Sequence, residues 1–430
     1  MPGGPLAGYR ILEIAQALAV PFAGLLLADL GADVIKVEPP EGDGIRHTME
    51  PILPGESKGY TLVNRGKRAV CLDITREDAR PVLQRLVAWA DAVLVSLKPA
   101  DLPRYGLTCD DLRAWNPRIV VLEHVPLGHA GPFGGDPGYD VVVQAISGLS
   151  VTTARERGGV PMNIRPAFND MATGAFSALG VVAALLHRER TGEPLRLETS
   201  LLGTAMALGN QLLSWFAATD PPRDEAFRAA LAAARAAGAD FEAQRRIYEQ
   251  TYLRGSAANI YFRVYRTSDG FVAVGCLSPA LNARFRAVTG LHDPRTEPGW
   301  DFDAPGAADR LAALVADAEA RFAADTTASW LERLRAGGVP CGPLNFPPEA
   351  MFHPQLVDNG FVVELEHPLF GAYRTFGPAV RVEGSAAPAG RHPPLLDEHT
   401  DEVLAELGFD GAEVARLRAA GVAGAAPPGA

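Results

Sequence analysis

Apolar residues in the first third of the chain fall into short runs rich in Val, Ile and Leu, separated by stretches of helical spacing. The runs cover residues 9–14 (YRILEI), 33–37, 69–73, 92–97 and 119–123. Between several of them, residues 21–30 and 77–90 carry helical patterns. Apolar, β-branched strands alternating with helices predict an α/β fold with a mostly parallel sheet covered on both faces. Residues 9–38 make up a first βαβ unit.

From residue 139 to 219 the pattern turns mainly helical, with one strand-like piece at 195–199. The most apolar stretch, 175–186, is interrupted by Gly180 and ends at His187 and Arg188. It is too short to span a bilayer, and a buried helix is expected. Residues 224–250 are charged and Ala-rich, and Phe227, Leu231 and Ala234 recur at i, i+4 and i+7. That spacing predicts one amphipathic helix bridging two domains. The segment NIYFRVYRTSDGFVAVG reads as a hairpin turning at Ser268, Asp269 and Gly270. Helices are expected over 280–335, a second hairpin over 361–382 turning at 368–371, and helices at 397–407 and 411–419. The tail GVAGAAPPGA is expected to fray.

Composition narrows the class. With 430 residues, 47% hydrophobic and 21% charged, the chain has ample core for two domains. A formal net charge of -11 argues against nucleic acid as a partner. Cys71, Cys109, Cys276 and Cys341 form no CxxC pair, so neither a disulfide framework nor a zinc site is expected, and a reducing cytosol fits. No basic region precedes an apolar stretch at the start, so no signal peptide is expected. The chain carries no GxxxxGK[ST] loop, no HExxH and no GxSxG elbow. Gly128, Gly131 and Gly134 read as a turn-rich loop, and His399 as a residue at a helix start.

Several pieces nevertheless stand in a telling order. ALAVPFAGLLLADLGADVIKVEPPEGDGIR is followed by NRGKRAVCLDI, PADLPRYGL and NPRIV, then by PGYDVVVQAISGL and NDMATGAFSALGVVAALLHRERTG. GVPCGPLN and PPLLDEHTDEVLAELGFD complete the series. Together they resemble the class III coenzyme A transferase family, over nearly all the chain except roughly residues 219–255. The pattern along the chain places a smaller α+β domain at 220–345, including the helical linker, and the resemblance implies a Rossmann-like large domain made from the parts on either side, residues 1–219 and 346–430. The resemblance also implies a cytoplasmic, interlocked homodimer that moves CoA from an acyl-CoA thioester to a small carboxylic acid. Aspartyl anhydride and aspartyl-CoA thioester intermediates would carry the transfer, with no metal or redox cofactor, no nucleic acid and no membrane.

The same resemblance makes Asp170, in NDMATG, the nucleophile. Read from its surroundings alone, Asp170 is a helix N-cap; a carboxylate at a helix start is also kept ionised by the helix dipole. Tyr139 and Asp140, in PGYD, fall on family positions near the active site, with a helix cap as the rival reading for Asp140. Racemases of the same superfamily carry His before this Asp, where an imidazole serves as general base. Tyr139 therefore favours transfer over racemisation. Lys98 and Arg104 fall where the family binds CoA phosphates, Lys98 within a residue, and Arg46, Lys67 and Arg68 are further candidates. Ala19-Val20-Pro21 departs from the usual Ala-Gly-Pro, Leu18 replaces a Gln of some members, and LRGSAAN stands in for a glycine-rich covering loop. The rival functions are an α-methylacyl-CoA racemase and a non-catalytic acyl-CoA-binding protein.

Overall fold

Six strands carry the larger part of the molecule: β1 (Arg10–Ile14), β2 (Asp33–Glu38), β3 (Arg68–Cys71), β4 (Ala92–Val95), β5 (Val120–His124) and β6 (Arg196–Thr199). They lie side by side in the order β6-β5-β4-β1-β2-β3, and every pairing is parallel. This is the order of a doubly wound dinucleotide-binding fold, whose winding reverses between β1 and β4. The computed structural model describes residues 3–152, 156–253, 258–302, 304–383 and 391–426.

The continuous apolar character of the strands follows from burial on both faces. Ile11, Val34, Leu94, Val120 and Leu122 point to one side, onto Val20, Ala23 and Leu27 of α1 (Ala19–Asp29). Their neighbours Leu12, Ile35, Val93 and Val121 point to the other, onto Val82, Leu83, Leu86 and Val87 of α2 (Arg80–Trp89). Leu404 and Leu417 from the C-terminal helices Thr400–Glu406 and Gly411–Ala419 close that second layer. The last segment does not fray as far as Ala426. Val422 and Ala423 are buried, the Asp73 N–H donates to the Val422 carbonyl at 2.9 Å, and the Ala426 N–H donates to the Pro40 carbonyl at 2.8 Å. Small apolar residues there read as a loose tail, yet they fit the end of the sheet.

On the α1 side lie α3 (Asp140–Ser147), α4 (Phe168–Thr191) and α5 (Leu201–Gly209). Helix α4 runs through Gly180 for 24 residues, well beyond the apolar stretch, and by length and composition alone it could cross a membrane. It is not the buried helix expected. One face, with Ala178, Val181 and Leu185, packs on the sheet, while Phe176, Leu179 and Leu186 are exposed. Arg188 near its end is buried and pairs with Asp91 at 2.9 Å.

Chain contacts divide the protein into one unit of Met1–Trp215 with Pro354–Ala430 and another of Phe216–His353. The second has its own three-stranded antiparallel sheet, Phe262–Arg266, Phe271–Gly275 and Cys341–Pro343, around an aromatic core. Tyr265 stacks on Phe322 at 4.0 Å, and Phe322 on Trp330 at 4.2 Å. The single helix expected over 224–250 is two, Pro221–Ala236 and Phe241–Tyr252. Gly238 takes a left-handed φ of 71° between them, and Asp240 caps the second helix through the Ala243 N–H at 2.8 Å. Phe227 meets Tyr248 and Tyr252 across the bend. The hairpins turn as the sequence indicates, the second pairing Val362–His367 with Gly371–Phe376.

Candidate active site

The carboxyl ends of β1, β4 and β5 open into a cavity of about 370 Å³. Gln16, Ala17 and Leu18 follow β1, Ser96, Leu97 and Lys98 follow β4, and His124 ends β5; all line it, together with Tyr139 and Asp170. The cavity thus occupies the crevice at the switch point, where open α/β sheets bind ligands. A larger depression of about 760 Å³ lies at the amino ends of β1 to β3. Its Arg65 and Arg68 are spent on ion pairs with Asp29, Asp33, Glu402 and Glu406.

Asp170 occupies the third position of α4, inside the first turn, while Ala167 holds the cap position without a side-chain cap. Its carboxylate is therefore not spent on capping. Among the described residues no hydrogen bond or ion pair reaches it. Burial pushes its pKa up to about 7, and the negative charge of Asp140 adds to the rise. The helix dipole acts in the other direction and favours the ionised form. What holds the residue in place is a close helix crossing one turn on. A Cβ built on Gly174 would lie 2.5 Å from the Ala19 carbonyl oxygen and 2.9 Å from the Phe22 side chain, so α1 and α4 touch backbone to backbone there.

Tyr139 and Asp140 part company. Tyr139 caps α3 by position only and is 69% exposed at the cavity, whereas Asp140 is buried beneath it. Asp140 is the first residue of α3 rather than its cap, and it accepts a hydrogen bond from Gln144 Nε2 at 2.6 Å. Burial raises its pKa, against the hydrogen bonds it accepts. It does not line the cavity, and its charge is felt by Asp170 from behind.

His124 was not singled out by sequence. It is buried at the end of β5, its Nδ1 lies 3.3 Å from Thr199 Oγ1, and that oxygen lies 3.1 Å from Ser177 Oγ on α4. Burial lowers its pKa to about 4, so the imidazole is neutral. A lone His ending an apolar strand carries no motif; only the rule that ligands collect at strand carboxyl ends would have marked it.

The basic candidates divide as well. Lys98 lines the cavity, while Arg104 lines an adjoining depression of about 250 Å³ with Arg76 and Arg80. Tyr105 borders both. None of these four cations is ion-paired among the described residues. Arg46, Lys67 and Arg68 are not available to a ligand in this way. Arg46 holds Glu38 and Glu56, Lys67 holds Glu13, and Arg68 holds Asp33, Glu402 and Glu406. Of the covering loop read at 253–259, residues 254–257 lie outside the described residues.

The comparisons with known proteins point the same way as this geometry. The profile of CoA-transferase family III matches residues 6–400. Succinyl-CoA:glutarate CoA-transferase of Homo sapiens is 30% identical over 422 residues, covering 97% of this chain and 90% of the relative. Succinate--glutarate CoA-transferase of Agrobacterium fabrum is 31% identical, covering 94% of this chain and 96% of the relative. Among solved structures, Rv3272 from Mycobacterium tuberculosis superposes with a TM-score of 0.71 at 27% identity, over 94% of this chain and all of that one. A family profile that spans nearly the whole sequence, with relatives alike over nearly their full length, makes this chain a member of CoA-transferase family III and a CoA-transferase enzyme.

Proposed function

We propose that the protein moves CoA from an acyl-CoA thioester to a small carboxylic acid through covalent intermediates on Asp170. The observation that carries this is a half-buried carboxylate in a cavity at the sheet's switch point, near Lys98 and three arginines, none of them ion-paired among the described residues. In the first step the ionised Asp170 attacks the thioester carbonyl, the C–S bond breaks and CoA leaves as a thiolate. A mixed anhydride of Asp170 and the acyl group remains. The thiolate, held by its nucleotide end, then attacks the aspartyl carbonyl and releases the first acid. This leaves an Asp170–CoA thioester, which the acceptor carboxylate opens by the same two steps in reverse. The carboxylate needs to be both nucleophilic and able to leave, and a pKa near 7 suits it to both roles.

Arg104, with Arg76 and Arg80, is the set that would take the phosphates of CoA, while Lys98 lines Asp170's own cavity. The acids in the names of the human and Agrobacterium relatives make succinyl-CoA with glutarate the first pair to try. Incubation with that pair and a wider panel, read by mass spectrometry of the CoA esters, tests the function. New thioesters appearing only when both an acyl-CoA and a free acid are present support it; acyl-CoA binding with no exchange for any pair contradicts it.

The racemase reading is disfavoured by two groups. Tyr139 is a phenol, and His124, with its pKa lowered to about 4, is a weak proton acceptor near neutral pH. In deuterated water with an α-methylacyl-CoA and no acceptor acid, little α-deuterium is expected. We also read the chain as a cytosolic homodimer, on the strength of its four free cysteines and of the exposed Phe176, Leu179 and Leu186 on α4.

A further inference from the structure

Behind the Gln16–Val20 wall of the cavity lies a cluster of ionised side chains that no step of the proposed chemistry uses. Glu13 and Lys36 point from β1 and β2, Lys67 precedes β3, and Asp43 lies in the loop after β2; each side chain is no more than 1% exposed. Lys36 Nζ lies 3.0 Å from Glu13 Oε1 and 3.0 Å from Asp43 Oδ2. Lys67 Nζ donates to Glu13 Oε2 at 2.8 Å and to Asn64 Oδ1 at 2.7 Å. Two cations and two carboxylates balance.

Asp43 Oδ1 also accepts the Ile45 N–H at 3.2 Å, and three further bonds run to one stretch of backbone. Lys36 Nζ donates to the Ala15 carbonyl at 2.7 Å, and Lys67 Nζ to the Pro21 carbonyl at 2.8 Å. Asp43 Oδ1 accepts the Ala17 N–H at 3.2 Å. Ala17 sits at φ 65°, a left-handed conformation that a residue with a Cβ adopts only where its surroundings impose it. Ala17 also lines the Asp170 cavity, between Gln16 and Leu18. At the far end of the stretch, Ala19 and Phe22 form the close crossing at Gly174 that seats α4.

Apolar packing would hold this layer of the fold at least as well, because desolvating four charges offsets most of their attraction. What the ions add is direction: they bond to chosen carbonyl and N–H groups of a strained turn. We propose that Lys36 and Asp43 are positioning residues for the transfer reaction, holding the Ala15–Ala17 turn against Asp170 without touching substrate. This rests on the reading of Asp170 as the nucleophile.

The test uses the full chain with one donor and acceptor pair that the wild type turns over. Lys36→Met removes the bond to Ala15 at similar volume; Lys36→Met with Asp43→Asn does so in a charge-balanced cluster; Asp43→Asn alone is the mildest change and keeps the test open if Lys36→Met does not fold. A core variant on the other face of the sheet, Leu83→Ala, controls for lost stability. The expected result is a kcat reduced tenfold or more in Lys36→Met and in the double variant, and about threefold in Asp43→Asn. The KM for acyl-CoA should stay within twofold, since the CoA-binding arginines are untouched, and trapping of the acyl group on Asp170 should slow in parallel. Leu83→Ala, at a comparable loss of Tm, should keep its kcat. Unchanged kcat in the folded Lys36 and Asp43 variants, or an equal fall in Leu83→Ala, overturns the proposal. A wild type that transfers CoA but is never labelled at Asp170 defeats the nucleophile reading instead, and this proposal with it.

Discussion

The carboxyl of Asp170 titrates at about 7 in the folded protein against 3.8 for its ordinary value, because burial and the charge of Asp140 both oppose ionisation. Only the ionised form attacks a thioester, so kcat/KM should rise with pH through about 7 and level off above it, as a pH–rate profile would read. The linkage to stability has the opposite sense. A folded pKa above the unfolded one is a contribution present below pH 3.8 and lost as the pH rises through about 7. Asp170→Ala should therefore be more stable than the wild type at pH 8, with the difference shrinking toward pH 4, when both are unfolded by denaturant. At the CoA end, Arg104→Ala should weaken every acyl-CoA by about 1–3 kcal/mol, the range for charge-assisted hydrogen bonds. The Michaelis constants of different donors should rise by similar factors, as the proposed role of Arg104 at the shared part of the ligand requires. Which of these residues the sequence reveals depends on local signals. Asp170 and Arg104 sit inside recognisable motifs, whereas Arg76, Arg80 and His124 are brought to the site by the winding of the sheet. Arg46 and Lys67 look like any surface cation in sequence, and only the buried carboxylates facing them explain where they point.

At the scale of elements, the crossing of α1 and α4 carries the strongest constraint. A methyl at Gly174 would meet a backbone oxygen and the base of Phe22 closer than any real contact allows, so the helices must separate. Gly174→Ala should cost about 1–3 kcal/mol, as overpacking does, and should lower kcat as well because Asp170 moves with α4. Urea unfolding and steady-state rates on the same preparation check both. The strands of the large sheet were legible because burial on both faces gives unbroken runs of Val, Ile and Leu, and the two hairpins because their turns carry Asp-Gly and Pro-to-Gly signals. The break at Gly238 was not, since the Ala-rich spacing runs through it and helix propensity there masks the stop formed by Gly238 with Asp240. The full length of α4 was missed for a related reason: Gly180 weakens a helix on paper, yet the helix runs through it, and a Cβ there would meet Leu197 at an ordinary 3.5 Å.

For the whole molecule, Phe176, Leu179 and Leu186 on α4 and Val141, Val142 and Ile146 on α3 are exposed, and grouped exposed apolar residues mark interaction surfaces, which motivates the dimer proposed above. Sedimentation across a concentration series should give a dimer down to micromolar protein, and a stable folded monomer there would remove that reading. A Rossmann-like large domain was implied by a resemblance spread along the chain, while the chain's own alternation of strands and helices fixed only the class of fold; the strand order and the place of the crevice come from the structure. The account as a whole stands on one covalent event. Intact protein incubated with an acyl-CoA that it turns over should gain the mass of CoA as a thioester, sensitive to hydroxylamine, and a peptide map should put it on Asp170; Asp170→Ala should gain nothing and transfer nothing while still binding CoA. Normal transfer by Asp170→Ala, or an adduct on another carboxylate such as Asp140, would contradict it.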